Sequence, residues 1–252
     1  MTVGIPVLEI KDNVGWLRLN RPDQHNRFGP DDISTVTELL QKLATEDALR
    51  VLVITASGPS FCSGFSMDAL SSADPALETA KFAEMCDLIE EAPYLTVCGL
   101  NGNVIGGGAD VAIACDIRIG VSNATLLVPP TRHGIEFYHS GLRRFVENVG
   151  LSAAQQLFLT GEPIGAGAML RIGFLHDVVE QGDLTTKLQS LSHALTERSA
   201  ASQRGLKKSL KSIARLTASS AEINEQFARS LVSADAREGL AAWRERRTPS
   251  FI

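Results

Sequence analysis

The stretch NGNVIGGGADVAIACD, Asn101 to Asp116, sets three consecutive glycines before an apolar run that holds one carboxylate, Asp110. A helix beginning at those glycines leaves its first N–H groups without intrahelical partners, and the aligned peptide dipoles add partial positive charge there. With no side chains at Gly106, Gly107 and Gly108, a ligand's carbonyl oxygen can approach the amides closely, as a developing oxyanion requires. The same glycines equally suit a tight strand-to-helix turn packed on a neighbour. Asp110 also has two readings. It either satisfies amides of the first helical turn, or sits buried among Val111, Ala112 and Ile113 as an acid/base. The stretch lacks the G-x-G-x-x-G spacing of a dinucleotide site, and the chain has no G-K-[ST] for a phosphate loop.

A second glycine turn lies upstream. The continuous apolar run RVLVITAS (50–57) has the length of a strand buried on both faces, and it is followed, after a short turn, by FCSGFSMD, Phe61 to Asp68. Gly64 permits an unusual backbone turn there, which can aim the next amide, that of Phe65, at the same oxygen as the amide of Gly107. Ser66 is not the serine of a G-x-S-x-G nucleophile elbow, because Asp68 stands where the last glycine belongs.

Outward from these two turns the chain alternates strands and helices. VLEI and VGWLRL flank KDN as a hairpin, and PDDISTVTELLQKLAT spaces Ile33, Val36, Leu39, Leu40 and Leu43 as one helical face. ALETAKFAEMCDLIEEA predicts a second helix, stopped by Pro93, and YLTVCGL, DIRIGVS and TLLVP predict further strands. From about Ser140 the pattern is helical to the end. The expectation is an α/β core over 1–195 and a helical region over 196–252.

Composition excludes several classes. The 252 residues are 44% hydrophobic, enough for a sizeable core, and the net charge of −5 without a run of like charges argues against nucleic-acid or anionic-membrane surfaces. No window approaches the apolar length of a membrane span, no secretory signal is evident, and a cytoplasmic protein is expected. The four cysteines show neither a C-x-x-C pair nor a zinc-ligand spacing, and read as small buried hydrophobes.

Four blocks, LNRPDQHNRF (19–28), FCSGFSMD (61–68), NGNVIGGGADVAIACDIRIG (101–120) and DAREGLAAWRERRTPSF (235–251), resemble the crotonase, or enoyl-CoA hydratase/isomerase, superfamily in order and spacing. The segment 141–179 resembles what members carry after the active site. The resemblance implies an α/β spiral of β-β-α units, a helical carboxy-terminal trimerisation region, and self-association as a trimer or hexamer. It implies an acyl-CoA substrate, with coenzyme A entering only as part of the thioester and no separate cofactor or metal. Its carbonyl would be held by the amides of Phe65 and Gly107, next to Gly106. The loops containing His25 and Arg27, and Ser63, Phe65, Ser66 and Met67, would line the coenzyme.

The resemblance also marks departures. Hydratases of the superfamily use two glutamates; here the first position is Asp110 and the second falls on Pro130, which cannot exchange a proton. Proline there resembles methylmalonyl-CoA decarboxylase-like members, which have an aromatic residue in the following loop. In this chain that loop holds Glu136, Phe137, Tyr138 and His139. Asp110, Glu136 and Tyr138 are the candidate acid/base residues. Decarboxylation or C–C cleavage, and acyl-CoA binding without turnover, are the alternatives to hydratase or isomerase chemistry. His133 and His139 read as surface or structural histidines, and Arg143 and Arg144 as residues that cap or solvate the next helix.

Overall fold

The computed structural model describes residues 4–70 and 73–251. It divides into two compact units, Met1–Ser190 and Leu191–Ile252, whereas the sequence pattern suggested a division at 195.

The first unit opens with strands β1 (Val7–Lys11) and β2 (Val14–Leu19), paired antiparallel. Their two linking residues, Asp12 and Asn13, both take positive φ, 50° and 64°. Aspartate and asparagine tolerate that conformation better than other side chains, and a two-residue loop of this hand matches the twist of the strands it joins. Helix α1 (Pro30–Leu43) starts at a proline preset for the first helical position, and the Gly29 N–H donates to Asp32 Oδ2 at 2.9 Å. Ile33, Val36, Leu40 and Leu43 are its buried face.

Three cycles then follow in which a long strand is succeeded by a short one. Strands β3 (Val51–Ala56) and β4 (Ser60–Cys62) precede the short helix α2 (Met67–Leu70) and helix α3 (Pro75–Glu90). Strands β5 (Leu95–Leu100) and β6 (Asn103–Ile105) precede helix α4 (Gly107–Ala114). Strands β7 (Ile117–Val121) and β8 (Thr125–Leu127) precede a 3-10 turn over Pro130–His133 and helix α5 (His139–Gln155). The long strands enter one sheet, in order β1-β2-β3-β5-β7-β10, and the short ones a second, in order β4-β6-β8-β9. Strands β9 (Ile164–Gly165) and β10 (Asp177–Val179), with helix α6 (Ala166–Arg171) between them, complete the two sheets. The result is the expected mixed α/β arrangement of β-β-α units followed by helices.

Val51, Leu52, Val53 and Ile54 are fully buried, as a strand covered on both faces should be. Of the short strands in the second sheet only β8, within TLLVP, was expected from sequence; β4 and β6 were read as loop or turn, and β9 was not foreseen. Two or three residues carry no detectable alternation, and only pairing with neighbours makes strands of them. Helix α5 is interrupted at Gly150, with φ 76° and ψ 160°, a conformation that suits glycine and breaks the helix in two.

Helix α7 (Leu184–Thr196) runs across the division, and the second unit contains α8 (Ala200–Ala214), α9 (Ser220–Leu231) and α10 (Ala234–Glu245). Ser199, Ser219 and Ser233 each cap the following helix through their hydroxyls. Among the described residues no helix is long and apolar enough to cross a membrane.

Candidate active site

The site is made where β4 and β6 end. These strands are parallel neighbours, so the chain leaves both at the same edge, and each runs directly into a glycine turn. Gly64 has φ +92°, and a Cβ there would lie 2.7 Å from the Ile105 carbonyl oxygen and 2.8 Å from the Gly107 nitrogen. A Cβ on Gly107 would lie 3.2 Å from the Phe65 nitrogen. The two turns are thus in backbone-to-backbone contact, and only glycine fits between them. A bridge between Phe28 and Phe65 holds the first turn: Phe28 N–H donates to the Gly64 oxygen and Ser66 N–H to the Phe28 oxygen, both at 2.8 Å. The Gly106 N–H is tied to the Leu127 oxygen at 2.8 Å, which anchors the second turn on β8.

A cavity of about 580 Å³ opens at this junction. Of the residues singled out in the sequence, Ser63, Phe65, Met67, Gly106, Gly107, Glu136 and Tyr138 line it; so does Pro130, whose ring occupies the wall at the start of the 3-10 turn. Phe82 of α3 forms another part of the wall, packing edge-on against Phe65 with ring centroids 5.6 Å apart. His133 also lines the cavity, which the sequence pattern did not anticipate for a surface or structural histidine. Glu136 is exposed at the cavity and is the one lining carboxylate among the described residues.

His25, Arg27 and Ser66 stand beside the cavity and are absent from its lining. They join the two loops they come from. The His25 Nδ1 and the Ser60 hydroxyl are 2.9 Å apart, the Ser63 N–H donates to the His25 oxygen at 2.8 Å, and Arg27 Nη1 donates to Ser66 Oγ at 3.2 Å and Asp68 Oδ2 at 2.9 Å. His25 takes φ 50° to make this turn.

Asp110, which the sequence left as either a first-turn cap or a buried acid/base, is held by other side chains. It is completely buried, does not line the cavity, and caps no helix end. Both of its oxygens are taken. Arg144 donates from Nε to Oδ1 at 2.8 Å and from Nη2 to Oδ2 at 2.6 Å, and the Tyr138 hydroxyl also donates to Oδ2. The reading of Arg144 as a capping or solvated residue is therefore corrected: its side chain is fully buried, and its Nη1 meets Asp87 Oδ1 at 2.5 Å and Glu90 Oε2 at 3.1 Å. Arg143 instead faces Glu90 and Glu147. No sequence pattern pairs residues 34 positions apart; the signal was present only as an arginine in a helix packed on α4.

Electrostatics follow the geometry. Burial, then the charges of Cys86 and Asp110, raise the Tyr138 hydroxyl well above the ordinary tyrosine value, so the phenol remains protonated and its proton is directed to Asp110. Burial alone would lower Arg144, but the hydrogen bonds and charge of Asp110 outweigh it and raise the guanidinium. The net worth of such a buried pair is small, since desolvation offsets attraction, but removing one partner strands the other at a cost of about 3–5 kcal/mol. Tyr138 both lines the cavity and hydrogen-bonds to this buried cluster, its ring stacked on Phe137 at 4.7 Å.

Comparison with known proteins agrees with the fold. The sequence matches the enoyl-CoA hydratase/isomerase family over residues 9–252. It is 27% identical to (E)-benzylidenesuccinyl-CoA hydratase of Thauera aromatica, with 97% of each chain covered. It is 26% identical to crotonyl-CoA hydratase of Syntrophomonas wolfei, covering 98% of this chain and 97% of that one. Among solved structures, DspI of Pseudomonas aeruginosa superposes with a TM-score of 0.91 at 26% identity, covering 98% of this chain and 96% of that one. An enoyl-CoA hydratase of Bacillus anthracis superposes with a TM-score of 0.89 at 22% identity, with 98% of each covered, which bears on the fold alone. The β-β-α spiral, its paired glycine turns and the match along nearly the whole sequence lead to one conclusion: the chain belongs to the enoyl-CoA hydratase/isomerase family.

Proposed function

We propose that this acyl-CoA-processing enzyme holds a thioester carbonyl between the amides of Phe65 and Gly107 and carries out hydratase/isomerase-type chemistry with Glu136 as its acid/base. The observation that supports this reading is the meeting of two loop amides at a cavity lined also by one carboxylate and one phenol. Polarising the carbonyl lowers the cost of an enolate. In hydration, water attacks the β carbon, its proton passes to Glu136, and the electron pair moves into the enolate oxygen between the two amides. Glu136 then returns that proton to the α carbon, restoring the thioester. Tyr138, with its own proton committed to Asp110, offers its oxygen as an acceptor that orients the water. His25, Arg27, Ser63, Ser66 and Met67 lie on the two joined loops, which we assign to the coenzyme.

The test is Glu136→Gln assayed with crotonyl-CoA. Loss of the acid/base is expected to lower turnover by about 100-fold or more with acyl-CoA binding retained. Unchanged hydration would refute the assignment. A second reading, decarboxylation of a carboxylated acyl-CoA, is favoured by Pro130 on the cavity wall, because loss of CO2 needs the enolate site but no second carboxylate. Release of CO2 from methylmalonyl-CoA at a rate indifferent to Glu136→Gln would establish it in place of hydration.

A further inference from the structure

We propose that Arg144, which touches neither cavity nor substrate, is a positioning residue: through Asp110 it fixes the Tyr138 hydroxyl so that the proton points away from the cavity and the oxygen faces it. The proposal rests on the reading of Tyr138 as the group that orients water, but concerns the orientation itself.

The argument begins with the number of donors and acceptors. A guanidinium presents its N–H groups in a rigid planar fork, which matches the two oxygens of a carboxylate. Arg144 uses that fork on Asp110, at 2.8 and 2.6 Å, and spends its remaining nitrogen on Asp87 and Glu90 of α3. Asp110 is thereby held in one rotation about its side chain, with Oδ2 placed toward Tyr138. Tyr138 stands immediately before the first residue of α5, and Arg144 lies within that helix. The phenol is therefore fixed twice, by the helix start that carries its backbone and by the acceptor that Arg144 sets in place. A hydroxyl has one proton to give and two lone pairs to offer. With the proton held by Asp110, what remains for the cavity is acceptor capacity. Three helices meet in the cluster and hold it in place: α3 supplies Asp87 and Glu90, α4 supplies Asp110, and α5 supplies Arg144.

Lysine separates this role from simple charge compensation, because it keeps the positive charge but is a point donor that cannot reproduce the fork. The chain contains two tyrosines, Tyr94 and Tyr138, so 3-fluorotyrosine labelling gives two fluorine resonances, assigned by Tyr138→Phe. In Arg144→Lys the Tyr138 resonance is expected to move and the Tyr94 resonance to stay. Hydration turnover is expected to fall by about 10- to 100-fold, as for a misplaced reacting group, with KM nearly unchanged. In a Tyr138→Phe background, Arg144→Lys should cost no further turnover, because both changes remove the same function. A Tyr138 resonance that does not move in folded Arg144→Lys overturns the proposal, as does an independent, multiplicative loss in the double variant. Should Arg144→Lys fail to fold, Asp110→Asn decides the matter: the carboxamide presents one oxygen to three donors, and an unmoved Tyr138 resonance there overturns the proposal equally. If the resonance moves while Tyr138→Phe hydrates crotonyl-CoA normally, the positioning by Arg144 stands and the catalytic reading of Tyr138 falls.

Discussion

Replacing Gly64 by alanine is expected to separate the two amides to which we assign the thioester oxygen. The added Cβ would sit 2.8 Å from the Gly107 nitrogen and 2.7 Å from the Ile105 oxygen, both backbone atoms in contact with the sheet and unable to swing aside. Ordinary contact begins at 3.4 Å, so the turns must part by 3.4 − 2.8, about 0.6 Å. An oxyanion donor works at about 2.7–3.1 Å, and a shift of that size removes one of two donors from range. The expected loss is about 100- to 1,000-fold in turnover, which corresponds to about 2.7–4 kcal/mol of transition-state stabilisation. A separate cost of about 1–2 kcal/mol in stability comes from alanine at φ +92°. Gly161→Ala supplies the control: φ there is +59°, and the nearest atoms stand 3.4 Å from a new Cβ, so strain is added without displacement at a residue that does not line the cavity. Thermal melts should show both variants less stable, while crotonyl-CoA hydration should collapse only in Gly64→Ala. Turnover within threefold of wild type in folded Gly64→Ala would refute the oxyanion reasoning.

Three further outcomes are expected. Asp110→Asn should lower the thermal midpoint markedly, by a loss of about 3–5 kcal/mol at the upper end, because it leaves buried Arg144 short of a charged acceptor; a melt indistinguishable from wild type would show the pair to be energetically idle. Stability should decline at alkaline pH, since burial pushes the Cys62 thiol up to about 12 and raises Cys86, Cys98 and Tyr138 as well. The unfolded chain releases thiol protons near pH 9 and the folded chain resists, so stability is intact below pH 9 and lost between pH 9 and about 12; denaturant titrations flat across that window would contradict the burial. Finally, Leu206, Leu210, Leu216, Phe227, Val232 and Trp243 are each more than half exposed in the single chain, so we propose self-association in threes, and sedimentation showing only monomer at micromolar concentration would count against it.

By itself the sequence determined the longer elements and the identity of the two turns. The run RVLVITAS and the helical spacing from Ile33 to Leu43 needed no partner to be legible, because burial on both faces or on one stripe imposes its own period. Gly64 and Gly107 could be singled out because bare backbone beside an apolar run has few uses. Tertiary structure decided what those turns face. Strands β4 and β6 are too short to show in a pattern, yet their parallel pairing is what brings the Phe65 and Gly107 amides together. It also decided the fate of Asp110. An acid among apolar residues reads in sequence as either a cap or an acid/base; the outcome depends on whether a cation reaches it, and Arg144 reaches it only because α5 packs against α4. Local sequence sets which conformations are cheap, whereas charge compensation between residues far apart in the chain exists only once the helices have docked.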